Sequence, residues 1–276
     1  MAARHGLFLP PFDDLADPRL LARLAASAEG SGWDGFFLWD HIQYRPPVTR
    51  VLDPWVALAA VATATERLVL GPMVTPLARR RPWVLAREAA TLDLLSQGRL
   101  VLGVGLGLDT SGAELSTFGE ETDARERAAI YDEALGLVVR LLSGELVQHE
   151  GAHFAVRGAR FLPTPVQRPL PVWVAARWPN RGPLRRALHH EGIFAIDLAA
   201  PDDLLELRAL LGELVAELPD DARRDGPFEV VTMLRPEADP DPWEEAGATW
   251  LLWGPSAFDI ELGQVRALAE EGPPRR

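Results

Sequence analysis

The chain has 276 residues, 47% of them hydrophobic, which suits one α/β barrel of about 250 residues with a single large core. A formal charge of −12 and the lack of a basic cluster argue against nucleic acid as a partner. The sequence has no cysteine, no apolar stretch long enough to span a membrane and no signal-peptide pattern, so we expect a cytoplasmic protein without disulfides or Cys-ligated metals.

A strand–helix rhythm runs along the chain. Strands are predicted at 5–9, 35–39, 68–74, 99–104, 172–175, 193–196, 228–233 and 249–253, and helices at 17–29, 53–65, 82–95, 124–142, 183–190, 202–217 and 259–270. The strands at 68–74 and 99–104 lack apolar/polar alternation, which is typical of a parallel sheet with both faces covered. Eight strands alternating with helices predict a (β/α)8 TIM barrel, with a doubly wound open sheet as the alternative.

The rhythm breaks between predicted strands four and five. Residues 106–170 contain the helix at 124–142, a hairpin predicted to turn at Glu150-Gly151 and a proline-rich run. We therefore expect a single domain over residues 1–276, with 106–170 as an insertion that covers the carboxyl end of the barrel as a lid.

The end of predicted strand four is rich in glycine. Gly103, Gly105 and Gly107 follow one another at every second position, where side chains would block the approach of a ligand. The spacing does not fit a dinucleotide-binding fingerprint, because the third glycine is one place early and no helix begins promptly.

Chemistry in barrel enzymes lies at the carboxyl ends of the strands. Asp40-His41 ends strand two, and a histidine can exchange protons near neutral pH, so Asp40 and His41 are the candidate catalytic residues. The alternative is a capping Asp beside a satisfied, buried His. The other strand ends are rich in aromatic residues and glycine and lack the clustered ligands of a metal hydrolase, so we expect a planar cofactor and no metal.

The loop after strand five carries two cations. Arg177, Asn180 and Arg181 precede the helix predicted to start near Pro183, and guanidinium groups together with helix-terminal N–H groups would hold a phosphate. An exposed basic loop is the alternative.

Several of these segments resemble the luciferase-like flavin monooxygenase family of TIM barrels. The matching segments are Gly35–His41, Gly71–Pro76, Arg80–Pro82, Thr91–Leu100 with Gly103–Gly107, Val172–Ala176, Arg185–Ala187 and Glu191-Gly192. The resemblance covers most of the chain, and the segment 91–107 is its most specific part.

The resemblance implies a barrel that binds FMN, or the deazaflavin coenzyme F420, across the carboxyl ends of its strands. It implies a non-proline cis peptide near Met73-Val74 that backs the ring, and a catalytic or ring-contacting role for His41. Two positions depart from the family. Leu108 stands where some deazaflavin members have a catalytic Glu, with Asp109 one step further, and Ala175-Ala176 replaces a frequent Gly-Gly. The expected cofactor contacts are Met73, Val74, Gly105, Gly107, Ala175, Ala176, Arg177, Asn180 and Arg181.

We therefore expect an enzyme, a flavin-dependent oxidoreductase that acts as a monooxygenase with reduced FMN and O2 on a small organic substrate. A separate flavin reductase is an expected partner, because no nicotinamide-binding motif is visible. The alternatives are F420-dependent hydride transfer, a non-catalytic flavin-binding protein, and a metal-dependent barrel hydrolase that uses Asp40 and His41. Neither nucleic acid nor a membrane is an expected partner, and a homodimer is a candidate assembly.

Overall fold

A computed structural model of the chain describes residues 2–109 and 114–274. Its central element is a parallel sheet of nine strands in the order β3-β2-β1-β11-β10-β9-β8-β5-β4, with a separate antiparallel hairpin, β6-β7. The strands are β1 (Arg4–Leu9), β2 (Gly35–Leu38), β3 (Val69–Pro72), β4 (Thr75–Pro76), β5 (Leu102–Gly105), β6 (Leu146–Glu150), β7 (Ala155–Arg160), β8 (Val172–Arg177), β9 (Gly192–Ile196), β10 (Glu229–Leu234) and β11 (Trp250–Trp253).

The two edge strands of the sheet are consecutive in the chain. β3 and β4 are separated by Met73 and Val74 alone, and they occupy one strand position between them. β4 pairs with β5, while an isolated parallel bridge between Leu70 and Leu100 joins β3 to the residues just before β5. The sheet is therefore nearly closed around eight strand positions, and the predicted (β/α)8 TIM barrel is confirmed.

Helices follow the strands and cover the outside of the barrel. They are α1 (Pro18–Gly30), α2 (Pro54–Ala64), α3 (Pro82–Leu95), α4 (Ala124–Leu142), α5 (Arg181–Ala187), α6 (Pro201–Glu217), α7 (Asp241–Glu245) and α8 (Leu262–Glu271). Asp17 and Asp53 start the first two by accepting the N–H groups of Arg19 and Val56, and each is followed by a proline whose missing N–H costs nothing there. Over residues 2–109 and 114–274, no helix combines the length and apolar content needed to cross a bilayer.

Both faces of the strands are buried, which explains why they lack alternation. In β1, Leu7 packs in the larger cluster between sheet and helices, whereas Phe8 packs inside the barrel with Phe37 and Trp173. Successive side chains of a strand point to opposite faces, so a strand that packs both inside the barrel and against the helices has apolar residues at every position.

Three sequence expectations need correction. The hairpin does not turn at Glu150-Gly151: Glu150 still pairs with Ala155, and the Gly151 N–H donates to the Phe154 carbonyl at 2.9 Å, so the turn takes four residues. β3 ends at Pro72 rather than at Val74. The short helix α7 was not predicted, because its five residues are too few for a periodic signal.

Candidate active site

A cavity of about 480 Å³ opens at the carboxyl ends of the barrel strands. Small-molecule sites typically have roughly 300–1,000 Å³. The cavity wall is formed by residues within or directly after β1, β2, β3, β5, β8, β9 and β10. The sequence-predicted residues that the structure brings together here are Asp40, His41, Met73, Val74, Gly105, Gly107, Ala175, Arg177 and Asn180.

The structure does not bring the other two predicted residues to the cavity. Ala176 is buried in the layer between sheet and helices, because it follows Ala175 in β8 and therefore faces the opposite side. Arg181 begins α5, and its exposed guanidinium lies 3.7 Å from the carboxylate of Glu213 on α6.

The carboxylate of Asp40 is fully engaged by neighbouring donors. It accepts hydrogen bonds from the Thr75 hydroxyl at 2.8 Å, from Arg79 Nη2 at 2.8 Å and from Arg80 Nη2 at 3.0 Å. The Trp55 indole N–H donates to the same Thr75 hydroxyl at 3.1 Å, which ties the network to α2. The Asp40 side chain is only 1% exposed. This geometry favours a positioning role for Asp40, which anchors the segment after β4 to the end of β2.

His41 lies beside this network, on the cavity wall. Its Nδ1 is 3.1 Å from Oε1 of Glu114, and its ring is surrounded by Phe12, Trp39 and Tyr44, the nearest of which is Tyr44 with ring centres 4.9 Å apart. Nδ1 is buried, and its contact with Glu114 is not aligned as a hydrogen bond. Catalytic hydrogen bonds are often poorly aligned before substrate binds, so this contact is a candidate for proton transfer.

Glu114 is the site residue that the sequence analysis missed. Its Oε1 accepts the Ile42 N–H at 2.8 Å, and its Oε2 is 3.1 Å from Arg79 Nη1 without hydrogen-bond alignment. The side chain is 5% exposed and lines the cavity. Arg79 therefore lies between the carboxylates of Asp40 and Glu114, and Glu114 lies between Arg79 and His41.

Asp109 caps the backbone that begins at Glu114. Its carboxylate accepts the hydroxyl and N–H of Ser116, the Leu115 N–H at 2.7 Å and the Glu114 N–H at 3.1 Å. These bonds, that of the Ser116 hydroxyl first, lower the pKa of Asp109 to about 2. Asp109 is thus a cap for this backbone rather than a proton donor in the cavity. In the sequence, the only hint of an acid from this segment was Asp109, one position after the place where some deazaflavin members have a catalytic Glu.

One wall of the cavity has no large side chain and is flat. Gly105 lies between Val74 and Ala175, and a Cβ added to it would lie 2.5 Å from Val74 Cγ2 and 3.5 Å from the Ala175 Cβ. The Met73–Val74 peptide is cis, as the resemblance implies. A wall of one glycine and two small apolar side chains, without polar side-chain atoms, suits the face of a planar ring.

The mouth of the cavity carries the polar groups of the β8–α5 loop. The Arg177 guanidinium pairs with the Asp197 carboxylate and is 44% exposed. Asn180 precedes α5, and its side chain makes no cap bond to that helix. A cation and an amide therefore stand where a polar tail would leave the cavity.

The insertion contributes unevenly to the site. Leu106, Leu108 and Glu114 line the cavity, whereas the hairpin packs on the helix layer through an edge contact of Phe154 with Trp83 of α3. Residues 110–113 lie outside the described residues, and the lid role of 106–170 stays a prediction.

The family model described as luciferase-like monooxygenase matches residues 5–269. Among curated proteins, the chain is similar to the F420-dependent glucose-6-phosphate dehydrogenase of Kineococcus radiotolerans, with 31% identity over 251 residues, 88% of this chain and 71% of that protein. The corresponding protein of Beutenbergia cavernae is 37% identical over 167 residues, 59% of this chain and 48% of that protein. The chain thus spans about half the length of several curated relatives it matches.

Solved structures share the fold at low identity. An F420-dependent secondary alcohol dehydrogenase in complex with an F420-acetone adduct has a TM-score of 0.78 and 18% identity, over 92% of this chain and 93% of that one. The coenzyme F420-dependent tetrahydromethanopterin reductase of Methanopyrus kandleri has a TM-score of 0.75 and 17% identity, over 99% of both chains. A monooxygenase of Streptomyces bottropensis has a TM-score of 0.69 and 22% identity, over 88% of this chain and 75% of that one.

Proposed function

Because the chain belongs to the luciferase-like monooxygenase family, we propose that it is an oxidoreductase that uses coenzyme F420 to transfer hydride to or from a small organic substrate. The observation that carries the proposal is the contact of His41 with Glu114 beside a flat wall at the carboxyl end of the barrel. The F420-dependent relatives named above support it. They favour this alternative over the FMN-dependent monooxygenase expected from the sequence, which would also need a separate flavin reductase.

The residues present fit a deazaflavin or a flavin. Val74, Gly105 and Ala175 would lie against the ring face, and Arg177 and Asn180 would meet the phosphate of the tail. F420, when bound, supplies a two-electron hydride carrier. The apolar walls would exclude water from the ring, and the mouth would leave the tail in contact with solvent.

His41 is the residue that exchanges a proton with the substrate. A proton on Nδ1, facing the Glu114 carboxylate, leaves Nε2 as the basic nitrogen of the neutral ring. The carboxylate of Glu114 stabilises the His41 imidazole once the imidazole has accepted a second proton. Contacts with Arg79 and Asp109 hold Glu114 at this distance.

Titration of the purified protein with F420 and with FMN, followed by ring fluorescence, tests the cofactor. We expect tighter binding of F420, and oxygen-independent reduction of bound F420 when an oxidisable substrate is added. Binding of FMN alone, together with incorporation of oxygen from O2 into an organic substrate in the presence of reduced FMN, would support the monooxygenase and overturn the proposal.

Arg177→Ala should weaken F420 binding by about tenfold. A charge-assisted hydrogen bond contributes roughly 1.5–3 kcal/mol, and the low end applies to an exposed group such as Arg177. Binding of the deazaflavin chromophore without its phosphate tail should be unchanged. Arg181→Ala is the matched control, since Arg181 lies outside the cavity and should bind F420 like the parent. Equal losses for both ligands in Arg177→Ala would show that the loop acts through folding.

Glu114→Gln should lower turnover by roughly tenfold to hundredfold, because a contact with a charged group of about 1.5–3 kcal/mol is lost. Single-turnover rates and the melting temperatures of both proteins measure this. A Glu114→Gln protein that melts earlier, yet has the parent rate per folded molecule, would mean that Glu114 only supports the fold.

A further inference from the structure

One charged side chain of the cavity wall has no partner of opposite charge. The carboxylates that line the cavity are all engaged by arginines, and they are those of Asp40, Glu114 and Asp197. Arg45 also lines the cavity and is exposed, but it pairs with no acidic side chain in the part of the chain that the structure describes. The chain has 40 acidic residues against 28 basic ones, so a shortage of acids does not explain the unpaired charge. A ligand can supply the missing anion.

An aromatic ring, rather than an acid, holds Arg45 in place. Its guanidinium carbon lies 4.7 Å from the centre of the Phe258 ring, and Phe258 is 39% exposed. A guanidinium over a ring can still donate through the N–H groups at its edge, in the fork that matches the two oxygens of a carboxylate. The mouth of the cavity therefore offers an uncompensated cation with an apolar surface beside it.

The Arg45–Phe258 pair lies across the mouth from the groups assigned to the tail of the cofactor. Arg45 follows β2 and Phe258 follows β11, and β1 is the strand between these two in the sheet. The opposite side of the eight strand positions is occupied by β8 and β9, whose ends carry Arg177 and Asp197. An anion at Arg45 is therefore on the side of the cavity that the cofactor leaves to the substrate.

Tyr44 connects this pair to the proposed proton acceptor. Its ring centre is 4.9 Å from that of His41 and 5.7 Å from that of Phe258. A ligand whose anion meets Arg45 can thus lay its carbon body along Tyr44 and bring its far end to His41, since aromatic walls bury the carbon body of a ligand.

The charge of the wall favours a monoanion. One guanidinium balances one carboxylate, whereas a phosphate monoester carries roughly 1.5–2 negative charges at pH 7. Lysine is absent from the chain, so no ammonium group can supplement Arg45, and the formal charge of −12 disfavours the approach of a dianion.

We propose, on the basis of the proposed function, that Arg45 and Phe258 form a carboxylate site and that the substrate is an organic monocarboxylate. Its reacting carbon lies at His41, its carbon body on Tyr44 and its acid group at Arg45. The glutamate tail of F420 is a second source of carboxylates, and a phosphate is the competing anion.

Hexanoate, hexanamide and hexyl phosphate have the same number of carbons and differ in their head groups. Titration calorimetry of each compound into the protein, with and without F420, tests the site without relying on turnover. We expect hexanoate to bind at least about tenfold more tightly than hexanamide, more tightly than hexyl phosphate, and less tightly as salt is added.

Arg45→Gln should weaken hexanoate binding by about tenfold and leave hexanamide binding unchanged. Arg45→Lys keeps the charge without the planar fork and should fall between the two. Arg157→Gln is the matched control, because Arg157 is an exposed arginine of β7 outside the cavity and its loss changes the net charge equally. Equal affinity of the parent for hexanoate and hexanamide, tighter binding of hexyl phosphate, or an equal loss in Arg157→Gln would overturn the carboxylate site.

Titration of F420 with and without its glutamates into the parent and Arg45→Gln separates the two sources of the carboxylate. If Arg45→Gln weakens only the glutamate-bearing form and leaves hexanoate binding unchanged, the assignment to the substrate is wrong. Failure of both forms to bind would contradict the proposed function itself, whereas hexanoate binding to the cofactor-free protein still decides the site at Arg45.

Discussion

Replacing His41 with alanine is expected to lower turnover by roughly 10²–10⁴-fold, the usual contribution of a positioned proton-transfer group. The affinity for F420 should change far less, because the ring wall of Val74, Gly105 and Ala175 and the loop at Arg177 are untouched. A loss confined to the chemical step lowers kcat and kcat/KM together. Single-turnover rates and F420 dissociation constants of the two proteins measure this.

His41→Gln is the graded control for this prediction. The amide can retain part of the hydrogen bonding but cannot carry the proton, so its rate should fall between those of the parent and of His41→Ala. Melting temperatures of the same samples separate chemistry from folding. A His41→Ala protein that is less stable, yet has the parent single-turnover rate per folded molecule, would exclude the catalytic assignment.

Asp40→Ala is expected to destabilise the fold by about 3–5 kcal/mol, the usual cost of removing one partner from a buried ion pair. The substitution removes the carboxylate that accepts from the Thr75 hydroxyl and from the buried Arg79 guanidinium, and it leaves Arg79 with the Asp40 carbonyl and Glu114. For a chain of this length, we expect the melting temperature to fall by roughly 10 °C or more. Urea unfolding followed by circular dichroism gives the free energy of unfolding directly.

Glu213→Ala is the matched control for Asp40→Ala. Glu213 also pairs with an arginine, Arg181, but both side chains are exposed, and exposed pairs contribute at most about 1 kcal/mol. If Asp40→Ala cost no more than Glu213→Ala, the anchoring role assigned to Asp40 would be wrong.

The barrel could be predicted because its signals are local. Strands such as β5 are continuously apolar since both faces are buried, and helices such as α2 begin at an Asp-Pro pair that supplies the cap and the first turn. The family resemblance is carried by the same segments, and the family match over residues 5–269 confirms it.

The site could be predicted only in part, because its contacts depend on register and on turns. The period of two in a strand separates Ala175, which lines the cavity, from Ala176, which does not. Arg181 was placed at the phosphate by proximity in sequence, but it lies in the first turn of α5 and points to α6. Glu114 reaches His41 from a loop, and no periodic pattern places a loop residue.

The attachment of Glu114 has a mechanical consequence. His41 follows the end of β2 directly, whereas the backbone of Glu114 lies outside the barrel strands and donates its N–H to the Asp109 carboxylate, as does that of Leu115. A change at Asp109 can therefore alter the distance between Glu114 and His41 without disturbing any strand pairing of the barrel.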